Sequence, residues 1–138
     1  MTDYILFFGI LLVGFAFFLF RPKVKSEYDP VMLCESPIER RLYYALLREG
    51  YLVVPQVRCG SYRIDLALPA FNIAIECDGK AYHSSPKQKA HDRRKNAYLK
   101  SNGWRVLRFS GSRINRKLNE VLAKIESEAI KNRPNREG

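Results

Sequence analysis

Two strand-length runs, Tyr62 to Leu68 and Phe71 to Glu76, are joined by nothing more than Pro69 and Ala70. So tight a link turns the chain back on itself. Both runs, and Leu52 to Val57 before them, are rich in β-branched and large apolar residues, which predicts a meander of three strands. Side chains alternate along a strand, so Ile73 and Ile75 share one face while Ala74 and Glu76 share the other. The acidic group thus emerges where the third strand ends, just before Gly79. Pairing of the last two strands brings Asp65 and Glu76 together at one sheet edge, and Asp78 follows after one residue.

The flanking segments carry helical signals. Ser36-Pro37-Ile38-Glu39 has a Ser N-cap, Pro at the first helical position and Glu at the third, a capping-box pattern. Ile38, Leu42, Ala45 and Leu46 then recur at helical spacing until Gly50. Pro86 to Asn102 reads as a second helix with a wide polar face, stopped by Gly103. Trp104 to Phe109 alternates as a strand, and Ile114, Leu118, Val121, Leu122, Ile125 and Ala129 predict one final helix. The order helix, three strands, helix, strand, helix specifies an α/β or α+β domain with one mixed sheet between helices.

Charge divides the chain sharply. The first 20 residues hold no Lys or Arg, and the other 118 carry all 24 of them against 13 acidic residues, a net of +11. Tyr4 to Phe20 is a run of 17 uncharged residues. As a helix it would cover about 25 Å of a hydrocarbon core about 30 Å thick. No basic residue precedes it and no small-residue cleavage site follows, so it reads as an uncleaved anchor and not as a secretory signal. Arg21, Lys23 and Lys25 lie just after it, which places the remainder in the cytoplasm by the positive-inside rule. The organisation expected is a transmembrane anchor with basic flank at 1–25, a linker at 26–34, a domain at 35–131 and a disordered tail at 132–138. Cys34, Cys59 and Cys77 are odd in number and lack CxxC spacing, against both a disulfide framework and a zinc ribbon.

Carboxylates in Val/Ile-rich strands are costly unless a cation or hydrogen bonds compensate them, so Asp65, Glu76 and Asp78 together invite a metal. Oxygen-only ligands select Mg²⁺, with Mn²⁺ as the alternative. Each residue also has a plainer explanation: Asp65 pairs with Arg63 or a helix arginine, Glu76 faces solvent, and Asp78-Gly79 is a turn. His83 titrates near neutral and suits a proton relay, or is a surface imidazole beside serines. A zinc site from Cys77, His83 and His91 has no recognisable ligand spacing. Lys80, Lys87, Lys89, Arg93, Arg94, Lys95 and Lys100 follow the acidic cluster closely, the density that a polyanionic substrate requires; the alternatives are a solvated helix face or attraction to anionic lipid.

The ordered set of Ser36 through Gly50, Tyr62-Arg63-Ile64-Asp65, Ile75-Glu76-Cys77-Asp78-Gly79, Tyr82-His83, Asp92 through Leu99, Gly103-Trp104 and Val106-Leu107-Arg108-Phe109 resembles the very-short-patch mismatch repair endonucleases and their relatives. These belong to the PD-(D/E)XK, or restriction-endonuclease-like, superfamily. The resemblance spans about residues 35 to 125 and implies a mixed sheet flanked by helices and Mg²⁺-dependent phosphodiester cleavage. It makes Asp65 the motif aspartate and Glu76 the second acidic ligand, with the Cys77 carbonyl completing the protein contacts to metal. It also implies that Glu39, already accounted for by the capping box, faces the active site and binds metal through water. The chain departs from the pattern in three places, the mildest being Ile64, and not proline, before Asp65. The lysine expected two residues after Glu76 is Asp78; the very-short-patch-like branch also lacks that lysine and uses histidine chemistry nearby, so the resemblance makes His83 the candidate base or acid, with Lys80 and Lys95 behind it. Where an arginine is usual three residues after the helix aspartate stands Lys95, which keeps the charge but loses fork-shaped donation to a phosphate.

These observations point to a membrane-anchored, cytoplasm-facing Mg²⁺-dependent nuclease acting on DNA, with Lys80, Arg93, Arg94 and Lys95 against the nucleic acid. Two rivals stand beside it. One is a nuclease-fold module that binds nucleic acid without turnover; the other is a basic membrane protein that binds anionic lipid or a protein partner.

Overall fold

The computed structural model describes residues 29–79 and 85–133. Four strands form one sheet in the order β1 (Val54–Cys59), β2 (Tyr62–Leu68), β3 (Ile73–Asp78) and β4 (Arg105–Ser110). The first three make the expected antiparallel meander, and β4 joins parallel to β3. Helix α1 (Pro37–Arg48) precedes the sheet, α2 (Pro86–Ser101) connects β3 to β4, and α3 (Gly111–Arg116) and α4 (Leu118–Lys131) follow it. The fold is a mixed α+β arrangement of one sheet between helices. Among the described residues no helix is long and apolar enough to cross a membrane, and the segment 4–20 with its basic flank lies outside them.

Alternation along the strands builds two apolar layers. Leu66, Leu68, Ile73, Ile75, Leu107 and Phe109 meet Leu42, Tyr43 and Leu46 of α1, Ile114 of α3, and Val121, Ile125 and Ala129 of α4 in the larger one. On the opposite face Ala67 and Ala74 pack with Leu99 of α2 in a much smaller cluster, which Ile64 joins out of alternation from beyond the interruption of the β1–β2 pairing at Gln56 and Asp65. Burying a large aliphatic side chain contributes about 1.5–3 kcal/mol, so the first layer supplies most of the stabilisation.

Four local features depart from the sequence-based expectation, the first being that β3 starts at Ile73, after a 3-10 turn Pro69–Phe71, and runs past Glu76 to Asp78 because its pairing with β4 continues to Asp78↔Ser110. The stretch expected as linker holds a 3-10 turn, Pro30–Leu33, capped by the Asp29 side chain, and Val31 and Cys34 enter the main core. A four-residue turn with one buried side chain, and a second just after it, has no periodicity to detect. The expected single last helix breaks at Lys117, where φ is −135° and ψ 43°, giving α3 and α4. The Ser110 hydroxyl caps α3 by accepting from the Arg113 amide, an additional start signal within the polar run before Ile114. Strand β1 begins two residues later than expected, at Val54, and continues to Cys59.

Candidate active site

The sheet forks at its acidic residues. Pairing between β2 and β3 runs from Leu68↔Ile73 to Leu66↔Ile75. Beyond that point the N-terminal half of β2 stays with β1, through Ile64↔Val57 to Tyr62↔Cys59, while the end of β3 stays with β4, through Glu76↔Arg108 to Asp78↔Ser110. Asp65 and Glu76 stand at the base of this fork. There the Asp65 side chain takes over the work of the ladder: its Oδ2 accepts from the Cys77 amide at 2.7 Å. A backbone donor facing a carboxylate is both satisfied and rigid. Burial nonetheless pushes the Asp65 carboxyl above its ordinary range, against the Cys77 amide and Lys95, which favour ionisation.

Glu76 is buried, on the face of β3 that Ala74 shares and that α2 covers. Its Oε2 accepts from Lys95 Nζ, while Oε1 is buried without a hydrogen-bond partner among the described residues. Burial outweighs the lysine and raises this carboxyl from 4.5 to about 7. The neighbouring carboxylates behave differently. Asp78 is exposed and held by Arg108, whose Nη2 and Nε donate at 2.9 and 3.2 Å; Arg108 also lies 3.8 Å from Asp92 and donates to Asn96 at 3.5 Å.

Helix α2 shows why its hydrophobic pattern is so weak. The stripe Asp92, Lys95, Asn96 and Leu99 follows i, i+3, i+4, i+7 spacing, and only Leu99 meets the apolar cluster. Lys95 goes to Glu76, and Asp92 and Asn96 go to Arg108. The inner face of the helix is polar because it covers the acidic fork. Arg93 and Arg94 are exposed on the same helix.

Glu39 is buried with both oxygens engaged. Oε1 accepts from the Ser36 hydroxyl at 2.7 Å; Oε2 accepts from the Glu35 amide and Gln56 Nε2, each at 2.9 Å. The capping box is therefore shifted by one residue, since the Glu35 amide replaces that of Ser36. Gln56, which sequence reasoning missed, occupies the left-handed region at φ +56° opposite Asp65 and leaves Oε1 buried without a partner. A glutamine amid Val53, Val54, Pro55 and Val57 is the signal that was available. Cys77 is half-buried, and burial raises its thiol, as do Asp65, Glu39 and Glu76. Lys80 and His83 lie outside the described residues.

The site thus joins Asp65, Glu76, the Cys77 amide and Lys95, with Glu39 on the α1 side and Asp78 turned to Arg108. Among the described residues, no three His, Cys, Asp or Glu side chains converge closely enough to hold a metal ion. The donor chemistry still fits a hard cation: the strand carboxylates supply only oxygen, and Glu76 Oε1 is an acceptor that none of the described residues satisfies.

A forked four-stranded sheet between helices, with carboxylates at the fork, is a nuclease-like architecture. The catalytic domain of the homing endonuclease I-Bth0305I shares this fold, with a TM-score of 0.59 at 24% identity over 70% of this chain and 97% of that one. Residues 38–129, well over half of the chain, match the REase_MTES_1575 family, and the protein belongs to that restriction endonuclease-like family. It is also similar to YcjD of Escherichia coli (strain K12), described as an uncharacterized protein, at 33% identity over 75 residues. That match spans 54% of this chain and 62% of the relative's length.

Proposed function

We propose that the protein is a Mg²⁺-dependent nuclease that hydrolyses phosphodiester bonds, with DNA as its substrate and Mn²⁺ as an alternative ion. The observation that carries this reading is the pair Asp65 and Glu76, set side by side where the sheet forks, one of them with a buried oxygen that none of the described residues satisfies. Membership of a restriction endonuclease-like family supports the same chemistry.

Asp65 and Glu76 would hold the metal, with the Cys77 carbonyl beside them. When bound, a divalent cation lowers the pKa of a coordinated water and neutralises charge on the phosphoryl oxygens. The protein's own groups do the rest. The Cys77 amide fixes Asp65 in place through one oxygen, leaving the other as donor. Arg93 and Arg94 are exposed and suit phosphate contacts. His83 is the proposed proton relay in place of the motif lysine. The three hydrogen bonds to Glu39 support its role as a clasp between α1, the turn before it and β1. Residues 4–20 are proposed to hold the domain, 35–131, at the cytoplasmic face of a membrane.

The test is incubation of the full chain with supercoiled plasmid, linear duplex, single-stranded DNA and RNA, in Mg²⁺, Mn²⁺ or EDTA. Cleavage of DNA that EDTA abolishes, and that Asp65→Asn and Glu76→Gln both lose while remaining folded by circular dichroism, is the expected result. Binding that weakens steeply with salt but no cleavage in either ion would replace the enzyme with a silent nucleic-acid module. Neither cleavage nor binding would overturn the reading.

A further inference from the structure

Glu76 and Lys95 form the most secluded ion pair among the described residues. Their side chains are 5% and 14% exposed. The carboxylate comes from β3 and the ammonium from the middle of α2, 19 positions later. Among the described residues no other group donates to Glu76, and none of them partners its second oxygen. An uncompensated buried carboxylate is costly, so Lys95 is what makes the metal-free strand end tolerable. Its supply of positive charge is nevertheless short. Among the described residues, Asp65, Glu76, Asp78 and Asp92 face only Lys95 and Arg108, and Arg108 is already committed to Asp78 and Asp92.

We propose that Lys95 is the resident counter-ion of Glu76, which it compensates in the metal-free protein and yields when a divalent cation takes that carboxylate. This inference rests on the nuclease reading, because it requires Asp65 and Glu76 to receive a metal. With Lys95 on Oε2 and a divalent cation on Oε1, two like charges would sit a few ångströms apart on one carboxylate and repel strongly in a water-poor site, so lysine and metal compete. A lysine suits this role better than an arginine. Its single ammonium on a flexible stem makes a point contact that releases readily, whereas a guanidinium grips both oxygens of a carboxylate in a planar fork. Lys95 therefore sets the metal affinity of the site without touching the metal.

The experiment is calorimetric titration of the full chain with Mn²⁺ at pH 8, together with thermal unfolding in Mn²⁺ or EDTA. Wild type, Lys95→Met, Lys95→Arg and Glu76→Gln are compared. Lys95→Met is expected to bind Mn²⁺ about tenfold more tightly than wild type, from loss of the competing charge. In EDTA it should melt lower, and Mn²⁺ should raise its Tm by more than it raises that of wild type. Lys95→Arg should fold as wild type and bind Mn²⁺ more weakly, which keeps the proposal falsifiable if Lys95→Met fails to fold without metal. If wild type and Lys95→Arg bind Mn²⁺ equally, or folded Lys95→Met binds no more tightly than wild type, Lys95 is not a competitor, though the metal reading survives. If wild type binds no Mn²⁺, or Glu76→Gln binds it as well as wild type does, the metal site is wrong and this inference falls with it.

Discussion

Glu128 and Glu76 are both glutamates with almost no exposed surface, and the protein treats them in opposite ways. Glu128, near the end of α4, accepts from Lys124 at 2.8 Å and Lys131 at 3.3 Å, while Arg105 of β4 lies 3.0 Å from its other oxygen. Those three cations are themselves 49–64% exposed, so Glu128 is covered by their long stems and is not sunk in the core. The hydrogen bond from Lys124, helped by Lys131 and Arg105, holds its carboxyl down to about 2. Among the described residues Glu76 has one cation and an unpaired oxygen, and with burial dominant its carboxyl rises to about 7. A carboxylate that only fastens helix to strand is compensated several times over. One left short of positive charge at a sheet fork is fit to accept more.

The strongest way to break this contrast is to neutralise each group. Glu76→Gln is expected to lower the cleavage rate by about 10³-fold, since several kcal/mol of charge stabilisation is lost with the metal. Glu128→Gln should leave the rate within about twofold of wild type, as expected for a surface clasp remote from the reacting groups. Plasmid nicking by the two variants at equal concentration checks both. Equal losses would mean that Glu76, like Glu128, is only structural.

Stability against pH sharpens it further, because the two shifts have opposite signs. A carboxyl raised on folding binds its proton more tightly in the native state, so the contribution of Glu76 is complete below pH 4.5 and disappears as pH rises through about 7. The size is on the order of 3 kcal/mol. A lowered carboxyl does the reverse: the contribution of Glu128 is present above pH 4.5 and is lost as pH falls towards 2. Urea unfolding in EDTA should show wild type losing stability between pH 5 and 7 relative to Glu76→Gln. Below pH 4.5, Glu128→Gln should lose less than wild type does.

Smaller effects belong to the rims of the two regions. Lys124→Ala removes the leading contact to Glu128 and should lower the Tm measurably, while Lys117→Ala, which meets Glu120 on the exposed side of the same helix, should not. Asp78→Asn breaks a half-exposed pair with Arg108 and is expected to cost at most about 1 kcal/mol in chemical denaturation. A larger cost would make the Arg108 bridge from β3 to α2 part of what holds the fork.

Local signals were sufficient for much of this molecule. The Ser36–Pro37 start of α1, the Pro69–Ala70 turn, the alternation that separates Ile73 and Ile75 from Glu76, and the stop at Gly103 each depend on a few neighbouring residues, and each has its place in the structure. The pairing of β2 with β3 that brings Asp65 beside Glu76 follows from that turn and that alternation. Other features have no local cause. That the ladder opens at Asp65, that its carboxylate takes the Cys77 amide, that Gln56 reaches Glu39 and that Asp78 turns to Arg108 all depend on strands and helices far apart in sequence. The choice of Lys95 as the partner of Glu76 is of the same kind. On the sequence Lys95 is one of seven cations between Lys80 and Lys100, equivalent by charge. Sequence determined the elements and the residues that carry charge, because periodicity, capping and turns act over a few positions. Only the tertiary structure decided which cation meets which carboxylate, because α2 crosses the sheet with one stripe of side chains facing it, and burial then makes that single contact count.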